Sequence, residues 1–513
     1  MADSEWLVRY RTTIYLGING AVLVGSVLGG SAHDVPFGVA IYVCALVALC
    51  SAPLLLMRRL NDRHVLLAIF MGLYFLAFGA LDLQIQLIGT DRLQTQRLGM
   101  LTSAELAILL GAVAVLLGAA LGVAWGSSGR PQQPAGEWTA GTILVVGLAI
   151  FVLGTASSLY FQIVIMPSKL GFAAAKEQAT MSAGLTFMVM LGQMMQPVGM
   201  LILAYGYAKF RGIFWTTLIV VVVATQVAVG FIEDIKAQAI FGGALVIMTR
   251  IVVTNRIPKA WVAYMIVFLV VGFPIFQAYR MVSGERGLDR AQALQQLDKV
   301  LESVTSEQEK ASEGRNRSET FLERSSVKAN VELLFEHVGY DVPYLHGYTL
   351  VAIPMAFVPR LLAPEKEDPN VGQMFGKLIA HSDSGVFISI SHLGELYWNF
   401  GWPGVFIGMF VLGVPLGFVG ARCTPEEGTT LTRVLVLLAT AKTLCLGFEG
   451  TMPIAYILWM RSLAAIGLMH LAFARASVNT RTPLQSRVKE RIEDLRPTAA
   501  LPAPVPRFPN LLR

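Results

Sequence analysis

The chain has 513 residues, 55% of them hydrophobic and 14% charged, where soluble domains carry about 25% charged residues. That balance excludes an ordinary soluble fold. The formal net charge of +6 comes from 40 Lys and Arg against 34 Asp and Glu; the cations sit in short clusters between apolar runs, not in a basic stripe interleaved with aromatics, so no nucleic-acid partner is expected. Cys44, Cys50, Cys423 and Cys445 follow no metal-ligand spacing, and three of them lie inside apolar runs, where they read as small packing residues.

A membrane-crossing helix needs roughly 20 mostly apolar residues, because the hydrocarbon layer is about 30 Å thick. In chain order such runs fall near 13 to 30, 36 to 57, 65 to 84, 103 to 125, 139 to 160, 181 to 207, 213 to 231, 238 to 254 and 260 to 280, then near 402 to 420, 431 to 448 and 453 to 474. The first, with Arg9 and Arg11 ahead of it, has the look of a secretory signal, but the runs behind it favour a retained helix. The expected fold is therefore all-α and polytopic, with about 12 transmembrane helices. If the N-terminus is cytoplasmic, Arg58, Arg59, Arg63, Arg130, Lys209, Arg211, Arg250, Arg256, Lys259 and Arg422 fall inside, which satisfies the positive-inside rule and puts both termini in the cytoplasm.

This divides the chain into residues 1–280 with nine spans, a large outer loop at 281–401, residues 402–474 with three more spans, and a basic, Pro-rich tail at 475–513. A loop of that length in a compact bundle is usually functional or disordered. Leu288, Ala291, Leu294, Leu297, Leu301 and Val304 recur at helical spacing, which predicts an amphipathic helix over 287–311. The later stretch GYTLVAIPMAFVPRLLAPEK is apolar but broken by Pro354, Pro359 and Pro364, which predicts a re-entrant or interfacial segment. No internal repeat relates the two halves, unlike the commonest transporter architectures.

From Phe321 to Gly408, cations, acids and histidines recur beside apolar surface, the chemistry of a site for a lipid-linked anion. Arg360 lies between Pro359 and Pro364 with Lys366 beyond; its fork can hold two phosphate oxygens, or it can snorkel to headgroups. Arg324 and Lys236 are further cations for a pyrophosphate, each with acidic neighbours that could instead pair with them. If VFISISHLGELYWNF is helical, His392, Glu395 and Asn399 share a face with Ser391. Glu395 is then a candidate general base or sugar-hydroxyl ligand, or simply a helix-start carboxylate; His381, Asp383 and His392 are alternatives for the base. Within the runs, Asp82, Lys442, Glu449, Arg461 and His470 stand out, since ionisable groups in hydrocarbon cost about 2.5 to 3.5 kcal/mol on insertion scales.

IPMAFVPRLLAPEKEDPNVGQMFG followed by GELYWNFGWPGVFIG resembles the bacterial oligosaccharide repeat-unit polymerases, the Wzy or O-antigen polymerase family. Pro359, Arg360, Pro364 and Lys366 match its PR-x-x-W-P-x-K-P pattern, and Glu395, Asn399, Gly401 and Gly404 match E-x-x-x-N-x-G-x-x-G; Ala363 and Glu367 depart from the first. The resemblance implies a GT-C-like glycosyltransferase of the bacterial inner membrane that uses neither metal nor other cofactor. Donor and acceptor would both be oligosaccharides on undecaprenyl pyrophosphate, joined at the periplasmic face, with membrane lipid, a flippase and a chain-length regulator as companions. It assigns the pyrophosphate to Arg360, Arg324, Lys236 and Lys366, the sugar to Asn399 and Asp383, and the base to Glu395, His381 or His392. An O-antigen ligase acting on a lipopolysaccharide core and a flippase of lipid-linked sugars are the alternatives.

Overall fold

A computed structural model describes residues 2–32, 36–88, 101–128, 138–160, 183–210, 212–233, 236–272, 275, 326–356, 358, 371–380, 388–424 and 430–471. The apolar runs become helices: α1 (Ala2–Ala32), α2 (Phe37–Leu56), α3 (Val65–Phe78), α4 (Ala80–Ile88), α5 (Ser103–Ser127), α6 (Ala140–Tyr160), α7 (Ala183–Lys209), α8 (Ile213–Glu233), α9 (Lys236–Thr254) and α10 (Lys259–Val267). Further along the chain come α11 (Lys328–His337), α12 (Val371–Leu378), α13 (Ser391–Cys423), α14 (Leu431–Thr440) and α15 (Met452–Leu471). No β-strand occurs among the described residues.

Among the described residues seven helices are long and apolar enough to cross a membrane, or eight if α3 and α4, bent by 54° at Gly79, make one span. The remaining runs are also helical, over α7, α9, α10 with its π-helical extension Phe268–Gly272, and α14 with the π turn Ala441–Cys445, but they do not add to that number. Of the about twelve expected spans, the described residues support seven to eight by length and composition. The outward faces are greasy: Val145, Val152 and Leu153 on α6, Val220 and Val221 on α8, and Ile407 and Val411 on α13 are exposed, surface that lipid solvates and water would not.

Glycine sets the tightest packing. A Cβ on Gly118 or Gly122 of α5 would run into the Phe410 or Val414 carbonyl of α13, and one on Gly413 or Gly417 of α13 would run into the Val115 or Ala119 carbonyl of α5. Helices without a hydrophobic drive to associate in lipid gain by this backbone contact between small residues. The order of the contacts makes α5 and this part of α13 parallel. Gly154 and Gly199 join α6 to α7 in the same way, here antiparallel.

Two further features position the candidate site. α5 starts on a reciprocal capping box, Glu105 N–H donating to Thr102 Oγ1 at 3.1 Å and Thr102 N–H to Glu105 Oε2 at 2.9 Å. Tyr74, Phe70, Phe78 and Phe448 then interlock, mostly edge to face, with ring centroids 4.8 to 6.0 Å apart. Tyr74 Oη also donates to the Ile108 carbonyl at 2.7 Å, fixing α3 to α5. Of the expected re-entrant segment, Thr349–Val351 forms a 3₁₀ turn and Ala352–Met355 one α turn, while most of the remainder, like the predicted helix over 287–311 and the tail from 475, lies outside the described residues.

Candidate functional site

α13 is two helical arms. Gly401, at φ 64° and ψ −148°, occupies backbone space that side-chain-bearing residues rarely adopt. Residues 404 and 396 would stand about 12 Å apart along a straight helix. Here a Cβ on Gly404 would strike the Leu396 carbonyl, and one on Gly408 would strike the Leu396 side chain, so residues 391–400 double back along 402–409. The expected span at 402 to 420 is the second arm, and the first arm precedes it. Its residues 391–399 are all buried. Tyr397 stacks on Phe335 of α11 at 3.6 Å, and the backbone N–H groups of Leu345 and His346 donate to the Trp398 and Asn399 carbonyls, satisfying the end of the arm.

On this arm Ser391, Glu395 and Asn399 fall at successive steps of four, with His392 beside them. Glu395 Oε2 accepts the Met452 N–H at 2.7 Å, so this carboxylate serves as a cap at the first residue of α15. Asn399 Nδ2 donates to Thr349 Oγ1 and to the Glu395 carbonyl, each at 2.8 Å. His392 N–H donates to the Phe448 carbonyl at 3.1 Å, and its ring meets the Phe448 edge at 5.5 Å. Ser389 Oγ donates to the Glu449 carbonyl. The Thr349 hydroxyl also lies against the Glu395 carboxylate, yet Oε1 has no well-formed hydrogen bond, nor do Asn399 Oδ1 or either His392 ring nitrogen. Such an arrangement can take a proton from, or hydrogen bond to, a hydroxyl brought against it.

The second buried polar cluster was not anticipated. Lys328 Nζ of α11 lies 2.5 Å from Asp82 of α4, 2.7 Å from Glu105 of α5 and 3.8 Å from Glu332, one turn along its own helix, and 4.3 Å from the Tyr42 ring centroid. Burial alone would pull this ammonium down, but the carboxylates outweigh it and hold its pKa above the usual lysine value. Asp82 stands out in the sequence by its position in an apolar run, but nothing local pairs it with Lys328 or Glu105. The Val327 N–H to Ala77 carbonyl bond adds a backbone tie, so α11 is fastened to the bundle. Its Val331 and Leu334 then pack beside Gly394, on the arm that carries Glu395.

The structure therefore brings together Glu395, His392 and Asn399 of the expected site. Arg360, Arg324, Lys366, His381 and Asp383 lie outside the described residues, and Lys236 starts α9 with its side chain outside them as well. Of the other ionisable residues in the apolar runs, His470 Nδ1 bonds to Thr432 Oγ1 at 3.0 Å, and Lys442 lies in the π turn after α14. Among the described residues no three His, Cys, Asp or Glu side chains converge as a metal ion would need. No protein-family model matches the chain, and neither a curated protein nor a solved structure shows significant similarity to it.

Proposed function

We propose that the protein is a membrane glycosyltransferase acting on lipid-linked sugars. More specifically, it would polymerise oligosaccharide repeat units, moving the growing glycan from undecaprenyl pyrophosphate to a hydroxyl of an incoming lipid-linked unit at the periplasmic face of a bacterial inner membrane. The observation that carries this reading is the Glu395 carboxylate: buried on a doubled-back arm, held at Oε2 by Met452 N–H, with Oε1 buried and lacking a well-formed hydrogen bond. The resemblance over Pro359–Lys366 and Glu395–Gly404 supports the choice of substrate.

In the proposed reaction the acceptor oxygen bonds to the anomeric carbon as that carbon's bond to the diphosphate breaks. The hydroxyl proton passes to Glu395, and undecaprenyl pyrophosphate departs with the bonding electrons. Arg360, Arg324, Lys236 and Lys366 would stabilise the charge developing on that leaving group. Gly420 packs on the Arg63 backbone, so the cluster Arg58, Arg59, Arg63 and Arg422 lies at the opposite end of α13's second arm from Gly401. By the positive-inside rule that end is cytoplasmic, which favours an outward-facing Glu395 end.

Purified protein in lipid vesicles, given lipid-linked repeat units, tests the reading. Longer lipid-linked chains are expected; transfer only to added lipopolysaccharide core would make it a ligase, and no new glycosidic bond would leave the flippase alternative.

A further inference from the structure

We infer that the buried polar face between the first arm of α13 and the turn before α15 is a seat for a neutral, hydroxyl-rich group, with Ser391 and Thr451 as ligands that select for it. This deepens the proposed function by assigning the acceptor's sugar, and not its diphosphate, to this face.

Six buried atoms on five residues lack a well-formed hydrogen bond here: Ser391 Oγ, both His392 ring nitrogens, Glu395 Oε1, Asn399 Oδ1 and Thr451 Oγ1. All five residues are at most 6% exposed. Buried polar atoms in native proteins are nearly always partnered, and one left bare is costly, so a concentration of them marks a place that a ligand completes.

Both hydroxyls are freed from their usual local duty. Thr451 directly precedes the first residue of α15, where a threonine side chain ordinarily accepts an N–H from its own helix. Its Oγ1 does not; the Met452 N–H, one position short of those a capping side chain takes, goes to Glu395 across the interface. Ser391 opens the first arm at φ 60°, a strained setting for a residue with a side chain, and its hydroxyl too is unbonded.

The chemistry of the face selects its occupant. Hydroxyls and a neutral imidazole both give and accept hydrogen bonds, and the Asn399 and Glu395 oxygens accept, so the face matches groups that are donors and acceptors at once. No Lys or Arg among the described residues is hydrogen-bonded or ion-paired to these five side chains, and the Glu395 carboxylate would repel a phosphate. The Phe448 ring beside His392 supplies an apolar wall for the C–H surface of a sugar. The bonds from His392 N–H, Ser389 Oγ and Met452 N–H tie the segment Leu446–Met452 to the arm along this face.

The test uses the full chain in lipid nanodiscs and two probes: undecaprenyl pyrophosphate without sugar, and the undecaprenyl-pyrophosphate-linked repeat unit extracted from cells lacking this protein. Ser391→Ala and Thr451→Val should each weaken binding of the sugar-bearing probe roughly three- to tenfold, the value of one neutral hydrogen bond, and leave the bare probe unchanged. Thr451→Ser, which keeps the hydroxyl, should bind like the wild type. Equal loss for both probes, no loss for either, or wild-type protein that gains nothing from the sugar would each overturn the inference. If the variants weaken sugar binding while wild-type protein extends no chain, the polymerase reading falls and the site stands. If wild-type protein extends chains and both variants bind normally, the site falls and the polymerase reading stands.

Discussion

Glu395 and Asn399 show what residue spacing can and cannot reveal. Their separation of four, with His392 three before the carboxylate, places them on one helical face, and that face exists. Nothing local says that Met452 N–H, 57 positions away, fixes one oxygen of the carboxylate. For Glu395→Gln, which keeps the shape and loses the basicity, we expect chain extension to fall at least about 100-fold while binding of the repeat unit persists, read as product length per unit time; near-normal turnover would move the role to His381 or His392. Lys328 is the opposite case. Its partner Asp82 lies 246 positions away, so no window of sequence contains the interaction. Lys328→Met should cost about 3 to 5 kcal/mol, because it leaves buried carboxylates uncompensated. The thermal midpoint in detergent measures the loss, and adding Asp82→Asn to the same chain should recover part of it; a midpoint unchanged by Lys328→Met would deny the cluster any part in holding α11.

Among the elements, the helices were legible and their bends were not. Twenty apolar residues in a row are enough to place α2, α5 or α6, because hydrocarbon leaves the backbone little choice but to bond to itself. Gly401 beside Pro403 reads equally well as a packing glycine, a kink or a helix start. Only the contacts of Leu396 with Gly404 and Gly408 show that the chain reverses there. Gly401→Ala should therefore cost on the order of 1 to 3 kcal/mol of backbone strain and disturb Glu395 at the same time. The α5 and α13 glycines make a sharper comparison. Gly417→Ala forces a methyl into the Ala119 carbonyl, whereas a Cβ on Gly72 of α3 meets nothing within 4 Å. We expect Gly417→Ala to lower the thermal midpoint by an amount equivalent to about 1 to 3 kcal/mol and Gly72→Ala to leave it unchanged or slightly raise it; equal effects would show that the glycine contact does not hold these helices together.

At the scale of the molecule, hydropathy gave the helical membrane character. About twelve runs read as spans where the described residues support seven to eight by length and composition, since short apolar helices such as Lys259–Gly272 look in sequence like complete crossings. The proposed phosphate ligands were legible only as a motif around Arg360, since a guanidinium's role depends on what faces it across the fold. Orientation is open to a direct check at Tyr340, 86% exposed in the large loop. Tyr340→Cys should react with a membrane-impermeant thiol reagent in intact spheroplasts, and reaction only after permeabilisation would put the loop on the cytoplasmic side. The most direct measurement is the extension of purified lipid-linked repeat units by wild-type protein and by Arg360→Ala and Glu395→Gln in vesicles. Long chains from the wild type and none from either variant are expected. Failure of the wild type to form any glycosidic bond, or full extension by both variants, would contradict the assignment.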